Sequence, residues 1–171
     1  MRTFLFCALG MAMALGGPAP TAAQGQADID AINQLIDRYG ALEDAMDMTA
    51  QGQLMAPDRV WIGQGAGRRT DQAANMRIQQ AGFDQMKAMF PGIRTFTEDR
   101  DRLIKFHGNG SVAVASFYRY MTTILPPDTP YEFAASFVPP SASAFTLVLE
   151  KGDGGWKIVH SHASDLGPAG S

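Results

Sequence analysis

His160 and His162 stand two residues apart in the run Trp156-Lys157-Ile158-Val159-His160-Ser161-His162. On a strand that spacing sends both imidazoles out of one face, together with Trp156 and Ile158. Imidazoles so placed can act as general acid or base near neutral pH, or as two metal ligands with His107 or Asp165 as a distant third. The alternative is that each ring is hydrogen-bonded inside the core or at a subunit interface. We take acid/base use of His160 or His162 as the chemical expectation and expect no metal. Which face of the last strand looks inward is not determined by spacing, and a bulge would change it.

Tyr118 and Tyr120 share a strand face with Val114 and Ser116, while Phe117, Arg119 and Met121 share the other. One of these sets lines whatever space the sheet encloses. Tyr118 and Tyr120, with Trp61, are therefore candidate binding-pocket residues, the alternative being core aromatics with a hydroxyl at the rim. In Glu98-Asp99-Arg100-Asp101-Arg102 the charges alternate across a strand, which reads as a solvated face with cross-strand ion pairs. Arg68-Arg69 follow the glycine loop Gly63-Gln64-Gly65-Ala66-Gly67. That loop lacks a strand-to-helix phosphate fingerprint, so the two arginines read as surface charge.

These residues need a scaffold, and the chain supplies one domain's worth: 171 residues, 46% apolar, with a formal charge of −3. No basic excess is present for binding a phosphate backbone, so nucleic acid is not an expected partner. Residues 1–23 combine Arg2, an apolar run from Thr3 to Leu15, the breaker Gly16-Gly17-Pro18 and the small residues Thr21-Ala22-Ala23. This pattern predicts a secretory signal cleaved after Ala23, since the run is too short to span a bilayer. The expected product is secreted or periplasmic, without stable membrane insertion. It loses Arg2 and Cys7, the only cysteine, and with them thiol chemistry and any disulfide.

A short tail, 24–27, is expected before a helix that starts at Asp28 and buries Ile29, Ile32, Leu35, Ile36, Tyr39, Leu42 and Met46. Asp28 or Asp30 would cap it, and Gly40 would weaken it ahead of a second short helix over about 43–51. Ala56-Pro57-Asp58 ends the helical region, Arg59–Gly63 is a strand, and 71–89 is helical with an interruption at Gly82. Beyond Gly92 the apolar period changes from 3.6 to 2. Two hairpins follow, 93–125 turning at Gly108-Asn109-Gly110 and 145–164 turning at Gly152–Gly155. The proline-rich segment 126–142 between them reads as a long loop over the pocket mouth or across a partner subunit, and 166–171 as a disordered tail. Helices followed by antiparallel hairpins predict an α+β domain with a pocket between its layers.

The closing hairpin, Gly152-Asp153-Gly154-Gly155-Trp156-Lys157-Ile158-Val159-His160-Ser161-His162-Ala163-Ser164, resembles that of SnoaL-like domains in the nuclear transport factor 2-like superfamily. The element order over 28–165 is similar too. The resemblance implies a cone-shaped curved antiparallel sheet wrapped around the N-terminal helices, enclosing a pocket for a small-molecule ligand, and a homodimer formed through the sheet. Arg38-Tyr39 is similar to the Arg-Tyr pair of the superfamily's ketosteroid isomerases, which makes Tyr39 a candidate catalytic hydrogen-bond donor. The isomerases' aspartate base falls at about Gly63 and their second acid near Thr146, so steroid isomerisation is not expected. Glu98–Arg102 resembles the Asp and Arg groups with which the superfamily's epoxide hydrolases activate water. The arginine of the similar kinase association domain is replaced by Ala163. The expectation is an exported domain that binds a small, mostly apolar molecule and turns it over by cofactor-independent acid/base chemistry. The competing expectation is a non-catalytic interaction or oligomerisation module.

Overall fold

The computed structural model describes residues 22–63, 67–134 and 141–167. Residues 1–21 of the predicted signal, with Cys7, the centre of the glycine loop at 64–66, residues 135–140 of the long loop and the end of the tail lie outside the described residues. Helix α1 spans Ala22–Asp44 and carries the predicted stripe. Ile32, Ile36 and Tyr39 are buried, with Leu35 and Leu42 packed against the same core. Gln24–Ala27 belong to this helix rather than to a tail. Gly40 does not break it, because the helix is buried there: a Cβ on Gly40 would lie 3.7 Å from Arg119 and Thr97. Packing of this kind overrides a weak local propensity. The break falls after Asp44, where Met46 takes a φ of 54°. Asp47 then caps α2 (Met48–Gly52) by accepting from the Ala50 N–H at 2.9 Å.

Strand β1 (Met55–Gly63) includes Ala56-Pro57-Asp58, the expected helix stop. Its register slips between Met55 and Val60, and a proline is tolerated where the ladder is irregular. After β2 (Gly67–Arg69) comes α3 (Gln72–Met89), capped by Asp71 and continuous through Gly82. The first hairpin is β3 (Arg94–His107) and β4 (Val112–Ile124), joined by a turn in which Asn109 adopts a φ of 56°. A short helix, α4 (Tyr131–Ala134), forms within the segment read as loop, and Phe133 meets Phe90 at the end of α3 edge-on at 6.1 Å. The second hairpin is β5 (Ser141–Gly152) and β6 (Gly155–Asp165).

The six strands lie in the order β2-β1-β6-β5-β4-β3. All neighbours are antiparallel except β1 and β6, which run parallel. Bulges in β3 and β6 and the slip in β1 add twist and curvature to an unclosed sheet. Helix α1 lies against β3 and β6 on the inner face. Among the described residues no helix is long and apolar enough to cross a membrane.

Asp28, expected as a cap, instead ties α1 to the last hairpin. Its carboxylate accepts from Lys151 Nζ at 2.6 Å and from the buried Trp156 Nε1 at 3.1 Å. The hydrogen bond from Lys151 holds the Asp28 carboxyl below its ordinary range, against the effect of burial. A depressed folded-state pKa gives stability that is present above the unfolded value and lost as pH falls through the folded one. Asp28→Ala, which strands the indole N–H, is expected to cost about 1–3 kcal/mol in urea unfolding at pH 7. The gap to wild type should narrow as the pH is lowered through the Asp28 transition.

Candidate functional site

The faces of the sheet decide which side chains can meet. In β6, Ile158 pairs with Leu149 and His160 with Val148, leaving Val159 as an extra, bulged residue. Trp156 and Ile158 before the bulge are buried under the helices, and after it the inner positions pass to Ser161 and Ala163. His160 and His162 therefore lie on the outer face, separated from the Trp156 and Ile158 with which their spacing had grouped them. There His162 Nε2 lies 3.1 Å from Ser164 Oγ. Burial, the His162 charge and Arg59 lower the His160 pKa.

On β4 the inner set is Ala113, Ala115, Phe117, Arg119 and Met121. Tyr118 and Tyr120 point outward: Tyr118 is 43% exposed, and the Tyr120 ring lies 4.8 Å beneath the Arg100 guanidinium. Of the three candidate pocket aromatics, Trp61 alone lines the inner cavity. Its ring folds back over Gly63, where a Cβ would overlap it. The indole of Trp61 thus takes the space that a side chain at 63 would need.

The run Glu98–Arg102 divides. Glu98 and Arg100 lie on a solvated face, as expected, but their ion pair at 2.8 Å runs along β3 rather than across to a neighbouring strand. Asp99, however, is turned inward with its side chain only 3% exposed. A bulge at Asp101, whose φ is 56°, then brings Arg102 to the inner side, where it meets Asp37 at 2.7 Å.

Asp99 faces Arg119 across the strand pair. Arg119 donates from Nε and Nη2 to the two carboxylate oxygens at 2.7 and 2.8 Å, and from Nη1 to Glu43 Oε2 of α1 at 2.7 Å. The guanidinium lies 4.8 Å from the Tyr39 ring centre and 4.7 Å from that of Phe145. Burial works against the Arg119 charge, but Asp99 and Glu43 outweigh it and hold the group firmly protonated. Glu43 and Arg119 border a cavity of about 270 Å³ whose other walls are Trp61, Met121, Ser141, Ser143, Phe145 and Ala163. Burial pushes the Glu43 carboxyl above its ordinary range, with Arg119 pulling the other way. Tyr39, one helical turn before Glu43, is 5% exposed, and burial followed by the Glu43 charge raises its phenol pKa. Farther along β1, Arg59 is 1% exposed and donates from Nε to Ser161 Oγ at 3.1 Å. Among the described residues, no three His, Cys, Asp or Glu side chains gather to hold a metal ion.

Residues 32–168 match the family described as SnoaL-like domain. The chain belongs to that family. No curated protein matches it. Among solved structures it is similar to a nuclear transport factor 2-like protein with a cystatin-like fold from Novosphingobium aromaticivorans, at 18% identity and a TM-score of 0.65, covering 88% of this chain and 93% of that one. It is also similar to ActVI-ORFA from Streptomyces coelicolor, at 12% identity and a TM-score of 0.65, with 83% and 97% covered. A protein from Catenulispora acidiphila solved in complex with S-DNPA matches at 14% identity and a TM-score of 0.61, with 82% and 94% covered.

The charged centre of this SnoaL-like domain thus comprises Glu43, Asp99 and Arg119, with Arg59 nearby, none of which the motif reading singled out as a site. Glu43 was within reach of sequence reasoning, because it falls one turn beyond Tyr39 on the same helix face. Asp99 and Arg119 needed the register of β3 on β4. Asp99→Ala leaves Arg119 paired with Glu43 alone and strands two buried donors, Nε and Nη2, so it is expected to lower stability by about 3 kcal/mol in urea unfolding. The double variant Asp99→Ala, Arg119→Met should recover part of that loss. A double variant as unstable as the summed single variants would mean that the two groups do not act as a pair.

Proposed function

We propose that this SnoaL-like domain binds a small, largely apolar molecule in the inner cavity and moves a proton on it, with Glu43 as the base. The observation that carries this reading is a carboxylate on the wall of an apolar cavity, gripped by one guanidinium nitrogen of a buried arginine. A base in such a place has a pKa raised toward the working range. Arg119 positions Glu43, and the developing negative charge on the ligand would lie near two buried arginines. Tyr39 supports the Arg119 guanidinium with its ring and feels the Glu43 charge. The Catenulispora neighbour with its bound small molecule supports the use of this fold as a ligand container.

The reading extends to assembly and location. Phe96, Leu103, Tyr118 and Ile62 are 36–59% exposed on the outer face of the sheet, the face that also carries His160 and His162, and a second copy of the chain would cover them. The N-terminal pattern of residues 1–23 supports export.

Incubating the protein in D2O with small aryl ketones and aryl keto acids, and following loss of the α-proton signal by NMR, tests the chemistry. Wild type should accelerate exchange over buffer, and Glu43→Gln should lose about 100-fold or more of that rate. Because the ionised carboxylate is the active form, the rate should fall as pH drops through a transition above the ordinary glutamate range. Exchange at the buffer rate throughout would leave the non-catalytic module as the better reading. Native mass spectrometry of protein recovered from an exporting host should show chains beginning at Gln24 in pairs, and Tyr118→Glu should shift them to monomers.

A further inference from the structure

Two arginines are buried on the inner face of the sheet, and they differ in one respect. Arg119 spends its nitrogens on Asp99 and Glu43. Arg59, 1% exposed, makes a single hydrogen bond, from Nε to the neutral Ser161 hydroxyl, and its Nη1 and Nη2 have no hydrogen-bond partner. Among the described residues no carboxylate lies within ion-pair distance of it; Glu43, whose charge it feels, is held by Arg119 instead. A buried cation with two idle donors is costly unless something neutralises it.

The location says what that something can be. Arg59 and Trp61 alternate on one face of β1, as Ser161 and Ala163 do on β6, and Trp61 pairs with Ser161. Trp61 and Ala163 both line the cavity, so Arg59 sits one step deeper, about 7 Å along the strand. Nη1 and Nη2 of a guanidinium form a planar fork that matches the two oxygens of a carboxylate. The walls above are the indole of Trp61 and the Phe145 ring, which suit a flat apolar body.

We propose that Arg59 is the anion-binding residue of the cavity and that the ligand class is an apolar carboxylic acid, its carboxylate on Arg59 Nη1 and Nη2 and its body between Trp61 and Phe145. The inference rests on the cavity being the ligand site, and it adds the substrate class: a carboxylate anchored on Arg59 would hold the adjoining carbon chain near Glu43.

Isothermal titration of the full-length protein with 3-phenylpropanoate and 3-phenylpropanamide, matched in body and differing in charge, tests this. Wild type should bind the acid about tenfold or more tightly than the amide. Arg59→Met should lose that preference while keeping the amide affinity, and Arg59→Lys should keep part of it. Without ligand, Arg59→Met should melt at or above the wild-type temperature, since it removes an unpaired buried charge, and 3-phenylpropanoate should raise the melting temperature of wild type alone. Equal affinity of wild type for acid and amide overturns the proposal, meaning that water alone serves the two nitrogens, while the cavity remains a ligand site. Binding of neither compound overturns both. A preference for the acid that survives in Arg59→Met places the anion site elsewhere and also overturns it. The wild-type comparison is decisive even if Arg59→Met does not fold.

Discussion

Arg119 enters a face of the sheet where almost everything else is apolar, and two carboxylates from different elements have to meet it there. Asp99 comes from the neighbouring strand and takes two of its nitrogens; Glu43 comes from the end of the first helix and takes a third. A buried ion cluster of this kind adds little net stability over an apolar core, because desolvation offsets the attraction. Its effect is on position. Any sliding of α1 along the sheet would separate Glu43 from Arg119, so the helix has one favoured seat, and that seat puts a carboxylate at the wall of the cavity. The close approach at Gly40 and the stacking of Tyr39 and Phe145 on the guanidinium follow from the same seat.

Two bulges complete the arrangement by changing which residues face inward partway along a strand. In β3 the bulge at Asp101 allows Asp99 and Arg102 to serve the same inner face, although three residues apart they would sit on opposite sides of a regular strand. In β6 the bulge at Val159 lets Ile158 pack in the core while Ser161 and Ala163 take over the inner side near the cavity. The histidines are displaced outward by the same step. The sheet therefore has two working surfaces: an inner one with carboxylates and guanidinium groups around an apolar space, and an outer one with imidazoles, tyrosines and exposed apolar side chains.

The inner surface is electrically uneven. Both buried arginines feel the Glu43 charge, yet Asp99 and Glu43 pair with Arg119, and Arg59 is left with a serine. Such an imbalance is uncommon in a packed core, where buried polar groups are nearly always satisfied. The cavity lined by Trp61, Phe145 and Glu43 lies one step along the sheet from Arg59. A division of this kind lets one scaffold serve different sites, since the scaffold stays while a few inward residues change.

Much of the fold was legible in the residues. The 3-4 spacing from Ile29 to Leu42, the period-2 strands after Gly92, the Asn109-Gly110 turn and the closing Trp-x-Ile-Val-His-x-His run identify helices, hairpins and family without coordinates. Local propensity failed at Gly40, where packing was stronger, at Gly82, which α3 carries on its exposed side, and at Pro57, which an irregular register accommodates. The site was legible only in part. Trp61 lies at the cavity and Tyr39 beside the charged centre, while the histidine and tyrosine pairs lie on the outer face. Spacing determines which residues share a face only while the strand is regular, and one extra residue reverses the assignment. By itself, then, the sequence determined the elements, their order and the chemical groups available, because these depend on neighbours a few positions apart. Only the tertiary structure decided that Asp99, Arg119 and Glu43 meet, and that Arg59 is left unpaired beside them. Those facts depend on strand register and on where α1 is seated, which are set by contacts between residues as much as 128 positions apart.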